Sequence, residues 1–283
     1  MKLAVVLSSA GPELKALVRA LTLRGKNIGV QVGFTQAKQL KPIGLADALN
    51  AALDEGVDAI AFQALDHPAV RDVVLKALSK DVRVVALLSP LDGLEGSHYV
   101  GLNNRSAGRT AGALMSSIVR EQGTAAVMWS GYLFRAHELR ESAFRSVMRS
   151  AGGRFFLSNI IGYDDEKRNY KQVLKFLDEF SDLIGIYSVG GGHVGIVNAL
   201  AERGLSKKVK LIVHNLTPDT RRLLLSDEVD FVLHPDMEKV AEKTLEVVTS
   251  ANATSSQNYI PIEIITKENI EDRGLTPDYF EFP

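Results

Sequence analysis

Apolar runs alternate with amphipathic stretches along almost the whole chain. Eleven short runs, rich in β-branched and other apolar residues, end in small or polar residues and predict β-strands. Most of them are continuously apolar, which is typical of strands covered on both faces. The predicted strands centre on 3–7, 28–33, 59–63, 82–87, 99–101, 125–129, 155–160, 183–187, 210–213, 229–233 and 260–265.

Between these runs, apolar residues recur at helical spacing. The resulting predicted helices cover 14–24, 44–55, 69–79, 107–122, 135–151, 170–179, 194–203 and 237–249. Repeated alternation of strand and helix predicts an α/β fold with parallel sheets covered by helices. A length of 283 residues fits two smaller lobes better than one large sheet.

The loops that leave the carboxyl ends of parallel strands form the natural ligand crevice. Polar groups follow many of the predicted strands: Ser8, Ser9, Gln63, Asp66, Ser89, Tyr163, Asp164, Asn215, His234 and Asp236. Each such residue alone is more often a turn former or a helix cap. Together with the aromatic Phe34, Trp129 and Tyr132, they predict a polar crevice that suits a polyhydroxylated molecule better than a phosphate.

Arg140 is the sharpest candidate for a binding residue. It lies four residues after Ala136 and four before Phe144, on the apolar stripe of a predicted helix. A guanidinium on an inward stripe needs an acceptor, and its fork of donors suits hydroxyls or a carboxylate. The alternative is a side chain that extends past the stripe to water or pairs with a structural acid.

A glycine-rich turn after the strand at 183–187 is the second candidate. Gly190, Gly192 and Gly195 fit the spacing G-x-G-x-x-G of dinucleotide-binding turns. The acidic residue that should end the next strand is missing, because that strand ends in His214 and Asn215. We therefore expect the turn to serve a close backbone approach, including a contact of Gly190 with a ligand, and expect no cofactor.

Catalytic and metal-binding patterns are not found in the sequence. It has no G-x-S-x-G elbow, H-E-x-x-H motif or P-loop lysine. His193, His214 and His234 all follow strands, but their spacing matches no zinc pattern, and we expect no metal. The chain contains no cysteine, so thiolate ligands and disulfides are excluded.

The net charge of −1 and the absence of a basic run argue against a nucleic-acid surface on this segment. No apolar run reaches the roughly 20 residues that a membrane span needs. The apolar run at 3–7 is too short for the core of a signal peptide and is expected to be the first strand.

Four segments, taken in order, point to a known family. Residues 99–112 read Y-V-G-L-N-N-R-S-A-G-R-T-A-G, and residues 140–144 read R-E-S-A-F. His234-Pro235 is followed by Ala241, and residues 264–270 read I-I-T-K-E-N-I. These segments resemble V-x-x-D-N-x-x-A-G-x-x-A, R-x-x-G-F, Q-P…G-x-x-A and the closing strand and tail of the bacterial LacI/GalR-type transcriptional regulators.

The resemblance implies the periplasmic-binding-protein type I architecture. Two Rossmann-like lobes with parallel sheets would be joined by three crossovers, with a sugar or sugar-like effector between them. On this basis the N-terminal lobe is expected to comprise 1–102 plus 236–262. The C-terminal lobe is expected to comprise 103–235 plus 263–283.

The resemblance also implies roles for individual residues. Arg140 matches the effector-clamping arginine, Asn215 the aspartate that ends a late strand, and Gln63 an asparagine-type contact. Ser8 or Ser9 matches the contact in the first loop, and His234 lies where the family often has glutamine. The chain departs from the family at Asn103 and Asn215, which replace aspartates, and at Val189-Gly190, which replace N-D. Fewer carboxylates would favour another hydroxyl pattern or admit an anionic effector.

The function expected from the resemblance is the effector-sensing core of a LacI-family regulator, cytoplasmic and homodimeric, with no enzymatic turnover. Operator DNA would be bound only through a helix-turn-helix that this chain lacks, and effector binding would act on it allosterically. The alternatives are a periplasmic sugar-binding protein of an ABC transporter and an NAD-dependent oxidoreductase that uses the glycine turn.

Overall fold

Two separate six-stranded sheets organise the chain. In the computed structural model, the residues described are 1–8, 11–37, 41–131, 134–250 and 256–270, and every structural statement concerns these residues. Helices cover the sheets, as the strand and helix alternation predicts, and the α/β fold with two lobes is confirmed. Within this part of the chain, no helix combines the length and apolarity needed to cross a membrane.

The first lobe is built around the strand order β11-β5-β4-β3-β1-β2, in which all pairs are parallel. Its elements are β1 (Lys2–Leu7), α1 (Pro12–Asn27), β2 (Gln31–Gln36), α2 (Pro42–Asp54), β3 (Ala59–Gln63), α3 (Pro68–Leu78), β4 (Arg83–Leu87), β5 (Ser97–Leu102), α9 (Met237–Thr249) and β11 (Gln257–Ile260). Helix α9 belongs here because it packs on α1.

The second lobe is built around the order β12-β10-β9-β8-β6-β7, and only β12 runs antiparallel to its neighbour. Its elements are α4 (Asn104–Ile118), β6 (Gly123–Trp129), α5 (Arg135–Arg149), β7 (Phe155–Ile161), α6 (Glu166–Glu179), β8 (Leu183–Ser188), α7 (His193–Glu202), β9 (Lys210–His214), α8 (Pro218–Leu225), β10 (Phe231–Pro235) and β12 (Ile262–Ile265).

The described chain passes between the lobes three times: after β5, after β10 and after β11. These three passages connect the two sheets. The division into 1–102 plus 236–262 and 103–235 plus 263–283 remains our proposal for the lobe boundaries.

Apolar side chains cover both faces of each sheet. Along β1, Leu3, Val5 and Leu7 enter one core cluster and Val6 enters the cluster on the opposite face. This alternation is the two-residue period of a strand. Continuous apolar runs therefore mark central strands here, whereas the edge strand β2 is largely exposed.

Several element boundaries differ from the sequence predictions for identifiable reasons. The predicted strand at 28–33 begins only at Gln31, because α1 continues to Asn27 and Gly29, at φ 72°, ends it with left-handed backbone. Helix α8 was not predicted, since it is only eight residues long. Its start is fixed by a capping box in which Thr217 and Thr220 bond each other's backbone N–H.

The predicted strand at 260–265 is wrong as a single element. It forms two short strands, β11 and β12, that pair in different sheets. Pro261 lies between them and has no N–H to donate to either ladder. The chain therefore changes lobes at this proline.

Helices α4 and α5 pack closely because Gly108 lacks a side chain. A Cβ on Gly108 would lie 2.1 Å from the carbonyl oxygen of Arg140. We predict that Gly108→Ala lowers the free energy of unfolding by about 1–3 kcal/mol, since the helices must separate to admit the methyl group. Chemical denaturation measures the change.

Gly33→Ala is the matched control for this prediction. Gly33 lies on the edge strand β2, where an added methyl group would meet no atom closer than 4.0 Å. The control should keep the parent stability within about 0.5 kcal/mol. Equal stabilities of the two variants would contradict the packing argument.

Candidate functional site

A cavity of about 540 Å³ lies between the two lobes. It is at the carboxyl ends of the strands of both sheets, where open parallel sheets bind ligands. The first lobe lines it with Gly11, Pro12, Glu13, Leu14, Gln63, Leu88, Ser89 and Leu102. The second lobe lines it with Phe134, Ala136, His137, Arg140, Tyr163, Asp164, Asp165, Glu166, Gly190, Gly191, Gly192, His193, Val194, Asn215, Thr217, Asp219 and Pro235.

Arg140 borders the cavity from α5 and is only 7% exposed. Its Nε donates to Oδ1 of Asn104 at 2.7 Å, and its Nη1 donates to the carbonyl oxygen of Val189 at 2.8 Å. No acceptor for Nη2 is found among the described residues. Burial lowers the pKa of Arg140, but a guanidinium stays protonated in proteins. Arg140 therefore presents a charged donor that a ligand oxygen could satisfy.

Asn104 links this arginine to the first passage between the lobes. Asn104 is 3% exposed, and its Nδ2 donates to the hydroxyl of Tyr99 at 3.0 Å. That hydroxyl donates to the carbonyl oxygen of Leu102 at 2.8 Å. The neighbouring Asn103 caps α4 by accepting a backbone hydrogen bond. Asn103 thus caps α4, and Asn104 orients the guanidinium of Arg140.

Two carboxylates approach the cavity from opposite lobes. In the second lobe, Oδ1 of Asp164 accepts hydrogen bonds from the hydroxyl of Ser130 and from the N–H of Gly191, the latter at 2.6 Å. In the first lobe, Glu13 lies in the first turn of α1. Burial raises the pKa of Glu13, its own backbone N–H lowers it, and the charge of Asp164 raises it. The two carboxyl groups therefore interact electrostatically across the cavity.

The described wall of the cavity is acidic overall. Five carboxylates border it, from Glu13, Asp164, Asp165, Glu166 and Asp219, against the single guanidinium of Arg140. Such a wall repels anions, so the anionic effector expected from the altered aspartates is not supported. Asn103 and Asn215 stand where the family motif has aspartates. The carboxylates that border the cavity lie at other positions.

His137 and His193 add neutral imidazoles to the wall. Burial lowers the pKa of His137 to about 4, with the charge of Asp164 raising it and that of Arg140 lowering it. Burial likewise lowers the pKa of His193, whose Nε2 donates to the carbonyl oxygen of Gly190 at 2.7 Å. Nδ1 of His137 is buried and has no partner within the described chain.

Strained backbone is concentrated at this cavity. Among the described non-glycine residues, seven have left-handed φ angles, and four of these line the cavity. The four are Leu88, Tyr163, Asp164 and Asn215, with φ between 58° and 66°. Each such residue costs about 1–3 kcal/mol, and such strain is typical of functional sites. The consecutive pair Tyr163 and Asp164 sets the direction in which the β7–α6 loop presents its side chains.

The glycine turn is explained by packing within the protein. A Cβ at Gly190 would lie 2.0 Å from Oδ1 of Asp164, and one at Gly195 would lie 2.0 Å from the carbonyl oxygen of Glu166. Gly192 precedes α7 with φ 71°. The glycines therefore allow the β7–α6 loop to approach, and no phosphate is needed to account for them. Within the described residues, no group of three or more His, Asp and Glu side chains could hold a metal ion.

The structure brings six of the predicted site residues to the cavity wall: Gln63, Ser89, Arg140, Tyr163, Gly190 and Asn215. Their contact with a ligand remains a prediction. Tyr163 is half exposed and lies at the rim, and the side-chain amide of Asn215 has no partner among the described residues.

Two predicted residues of the first lobe do not line the cavity. Ser8 lies behind Gln63 and donates its hydroxyl hydrogen to Oε1 of that side chain at 2.6 Å. Asp66 pairs with Arg71, with its Oδ1 2.7 Å from Nε, and so has a structural partner. Ser9 lies outside the described residues.

Two predicted residues of the second lobe are also displaced from the wall. Trp129 is buried in the core on one face of the sheet, because it continues the inward alternation of β6. His234 is 4% exposed, and its Nδ1 accepts a hydrogen bond from the N–H of Leu216 at 3.1 Å. Neither residue borders the cavity in the described structure, and a ligand contact of either stays a prediction.

Glu13, Phe134 and His137 were missed by the sequence predictions. His137 lies three residues before Arg140, on the same helical face, and this spacing could have revealed it. Glu13 carries a weaker signal, because an acidic residue after a Gly-Pro pair is typical of any helix start. Phe134 follows a loop whose path the sequence does not define.

The chain belongs to the periplasmic binding protein domain family, whose pattern matches residues 5–253. A comparison with curated protein sequences found no match. The family match confirms the periplasmic-binding-protein part of the predicted resemblance.

Solved structures with the same fold cover nearly the full chain. An ABC transporter solute-binding protein from Agrobacterium vitis, bound with α-D-tagatopyranose, superposes with a TM-score of 0.88 at 16% identity, covering 100% of this chain and 99% of that chain. One from Burkholderia graminis, in complex with D-arabinose, has a TM-score of 0.88 at 18% identity, covering 98% of each chain. One from Actinobacillus succinogenes, with bound D-allose, has a TM-score of 0.87 at 16% identity, covering 96% and 99%.

These similar structures are transport receptors and not LacI-type regulators. At such low identity they establish the fold, which is shared by both classes named in the sequence analysis. The regulator assignment, with its homodimer and operator DNA, is not supported by the comparisons and stays a prediction from motifs.

The contribution of Arg140 to the free energy of unfolding can be measured without a ligand. We predict that Arg140→Met lowers the free energy of unfolding by about 1.5–3 kcal/mol, because Asn104 and the carbonyl of Val189 lose a charged donor. Arg109→Met is the control, since exposed Arg109 bonds only the hydroxyl of Ser106. Urea denaturation of both variants measures the difference, and equal stabilities would contradict the assignment.

Acid should destabilise the fold through His137. Its pKa is about 4 in the folded protein and near 6.5 when unfolded, so the unfolded chain takes up the proton first as the pH falls. The stability present above about pH 6.5 is therefore lost towards pH 4. We predict that His137→Gln reduces the pH slope of the unfolding free energy in this window by about 1.4 kcal/mol per pH unit. Denaturation at a series of pH values tests this, and an unchanged slope would count against it.

Proposed function

We propose that the chain is a binding receptor for a small hydroxyl-rich molecule of the carbohydrate class, held in the cavity between the lobes. The observation that carries the proposal is a set of hydrogen-bonding groups on the wall that the described protein leaves unsatisfied. They are Nη2 of Arg140 and the side-chain amide of Asn215. Groups of this kind at a cavity wall are completed by ligand hydroxyls or by water.

The chemistry of the wall favours hydroxyls over phosphate or carboxylate. Hydroxyls both donate and accept, and they can therefore bond the carboxylates of Glu13 and Asp164 as well as the guanidinium of Arg140. Phe134 and His137 add an aromatic pair, with ring centroids 5.2 Å apart, for the apolar face of a sugar ring. An anion would meet five carboxylates and one guanidinium.

We favour a role as the solute receptor of an ABC importer. It is supported by the transport receptors of the same fold, which match this chain over nearly its whole length and were solved with monosaccharides. In that role the ligand would bind one arrangement of the lobes better than another and shift the protein towards it. A periplasmic location would follow from this role.

The effector core of a LacI-type regulator is the second candidate. The ordered motifs from 99–112 to 264–270 favour it. However, Asn103 caps α4 and Asn104 accepts a hydrogen bond from Arg140, and any protein of this fold could share these structural roles. Sedimentation velocity distinguishes the two, because the regulator role predicts a homodimer and a transport receptor needs none. A monomer with and without bound sugar would count against the regulator.

A ligand screen tests the proposed function directly. We expect neutral monosaccharides and cyclitols to raise the melting temperature of the protein, and NAD, inorganic phosphate and sugar phosphates to leave it unchanged. Isothermal titration calorimetry then gives the affinity of each compound that shifts the melting temperature. A shift with NAD and none with any carbohydrate would overturn the proposal.

Asn215 provides a sharper test of where the ligand binds. Asn215→Gly removes the side-chain amide while glycine tolerates the left-handed backbone at φ 66°. We predict a loss of affinity of roughly 5- to 20-fold, the size of one or two hydrogen bonds, with the melting temperature of the free protein little changed.

Asp81→Gly is the matched control for Asn215→Gly. Asp81 has the same left-handed backbone, at φ 58°, but is exposed after α3 and far from the cavity. It should retain the parent affinity. Equal affinities of the two variants would place the ligand elsewhere.

A further inference from the structure

The placement of Glu13 and Asp164 suggests a more specific ligand chemistry than hydroxyl groups alone. One carboxylate comes from each lobe, and each borders the same cavity. The charge of Asp164 contributes to raising the pKa of Glu13, after the larger effect of burial, in keeping with their place on one cavity wall. Two carboxylates that converge in a partly buried space repel each other unless a cation or a proton lies between them.

The described protein places no cation in direct contact with either acid, although the charge of Asp164 also acts on Arg140 on the same wall. Neither Glu13 nor Asp164 forms an ion pair within 4 Å with any lysine, arginine or histidine of the described ranges. Both hydrogen bonds to Asp164 reach its Oδ1, from Ser130 and Gly191, so its Oδ2 is left for another donor. Within the described ranges, the hydrogen bond given to Glu13 comes from its own backbone N–H.

A second, independent observation supports a ligand in this space. Arg140 is more than nine-tenths buried on the same wall, and its Nη2 finds no acceptor in the part of the chain that is described. A guanidinium donates only, so a guest that displaces water from it has to meet it with an oxygen. The guest must therefore offer an acceptor to Arg140 and can offer charged donors to the two acids.

We propose that the ligand is an aminated polyol, such as an amino sugar or an aminated cyclitol, with its ammonium group between Glu13 and Asp164 and a hydroxyl on Arg140. This inference rests on the proposed function and narrows the ligand class. The ammonium group donates three hydrogen bonds and relieves the repulsion between the two acids. Because these acids belong to different lobes, the same group joins the lobes in their closed arrangement.

Matched pairs of probes separate the amine from the rest of the sugar. Glucose, galactose and mannose are compared by titration calorimetry with glucosamine, galactosamine and mannosamine, which differ by one hydroxyl-to-ammonium exchange. We expect the amine of the preferred stereochemistry to bind roughly 10- to 100-fold tighter than its neutral partner, as one charge-assisted hydrogen-bond site provides. Its N-acetyl derivative, which is uncharged, should lose this advantage.

Two isosteric variants locate the charge recognition. Glu13→Gln and Asp164→Asn should each reduce the ratio of amine affinity to neutral-sugar affinity to threefold or less. The ratio is the quantity compared, because both carboxylates also face neutral sugars in the cavity. Glu55→Gln is the control, because Glu55 is exposed at the end of α2, away from the cavity, and it should keep the parent preference. Circular dichroism and the melting temperature of each free variant verify that it is folded.

The outcomes distinguish this inference from the proposed function. Binding of neutral sugars as tightly as their amines, or an amine preference that survives both variants, overturns the inference and leaves the carbohydrate receptor intact. Binding of simple diamines such as putrescine with no binding of any sugar overturns the receptor function itself. Stabilisation by Ca²⁺ alone, lost in both variants, would replace the amine with a metal ion and also overturn the inference.

Discussion

A buried guanidinium is the constraint on which the site depends. Arg140 sits below the cavity with little access to water, so each of its donors needs an oxygen. Two of them are held by Asn104, at the start of α4, and by the carbonyl oxygen of Val189, after β8. These bonds tie α5 to both neighbouring elements and leave the N–H groups of Nη2 without an acceptor among the described residues. The arginine thus serves the fold and, in the proposed function, the ligand as well.

The layer around this arginine is polar but almost free of other charge. Tyr187 and His214 bond each other at 2.7 Å below the cavity, and burial keeps the pKa of His214 well below its usual value. A second cation beside Arg140 would be costly in so dry an environment. The balancing negative charge lies instead on the wall, where Asp164 also raises the pKa of His137 and so partly offsets the effect of its burial.

The sequence predicts the fold well because strands buried on both faces leave long apolar runs. It also predicts the inward direction of Arg140, since helical phase depends only on local spacing. It does not predict that Trp129 faces a core or that Glu13 and Asp164 border one cavity. Those facts depend on which face of β6 is covered and on how two lobes approach each other. Likewise, the apolar pattern of 260–265 predicts one strand. It does not indicate that the residues on either side of Pro261 pair in two different sheets.

Strained loops and acidic groups meet at the same cavity, and both features have a cost in the free protein. Tyr163 and Asp164 adopt left-handed backbone, and Asp164 repels Glu13. In the proposed complex, a guest that neutralises the acids would remove one of these costs and would so couple binding to the arrangement of the lobes.

The path of the chain has a consequence for how the molecule is made. Helix α9 and strand β11 complete the first lobe, but they are encoded after nearly the entire second lobe. During synthesis on the ribosome, the second lobe can assemble all but its edge strand β12 from a continuous stretch, whereas the first lobe waits for its last helix and its edge strand. Neither half of the gene, cut at the midpoint, would encode a complete first sheet.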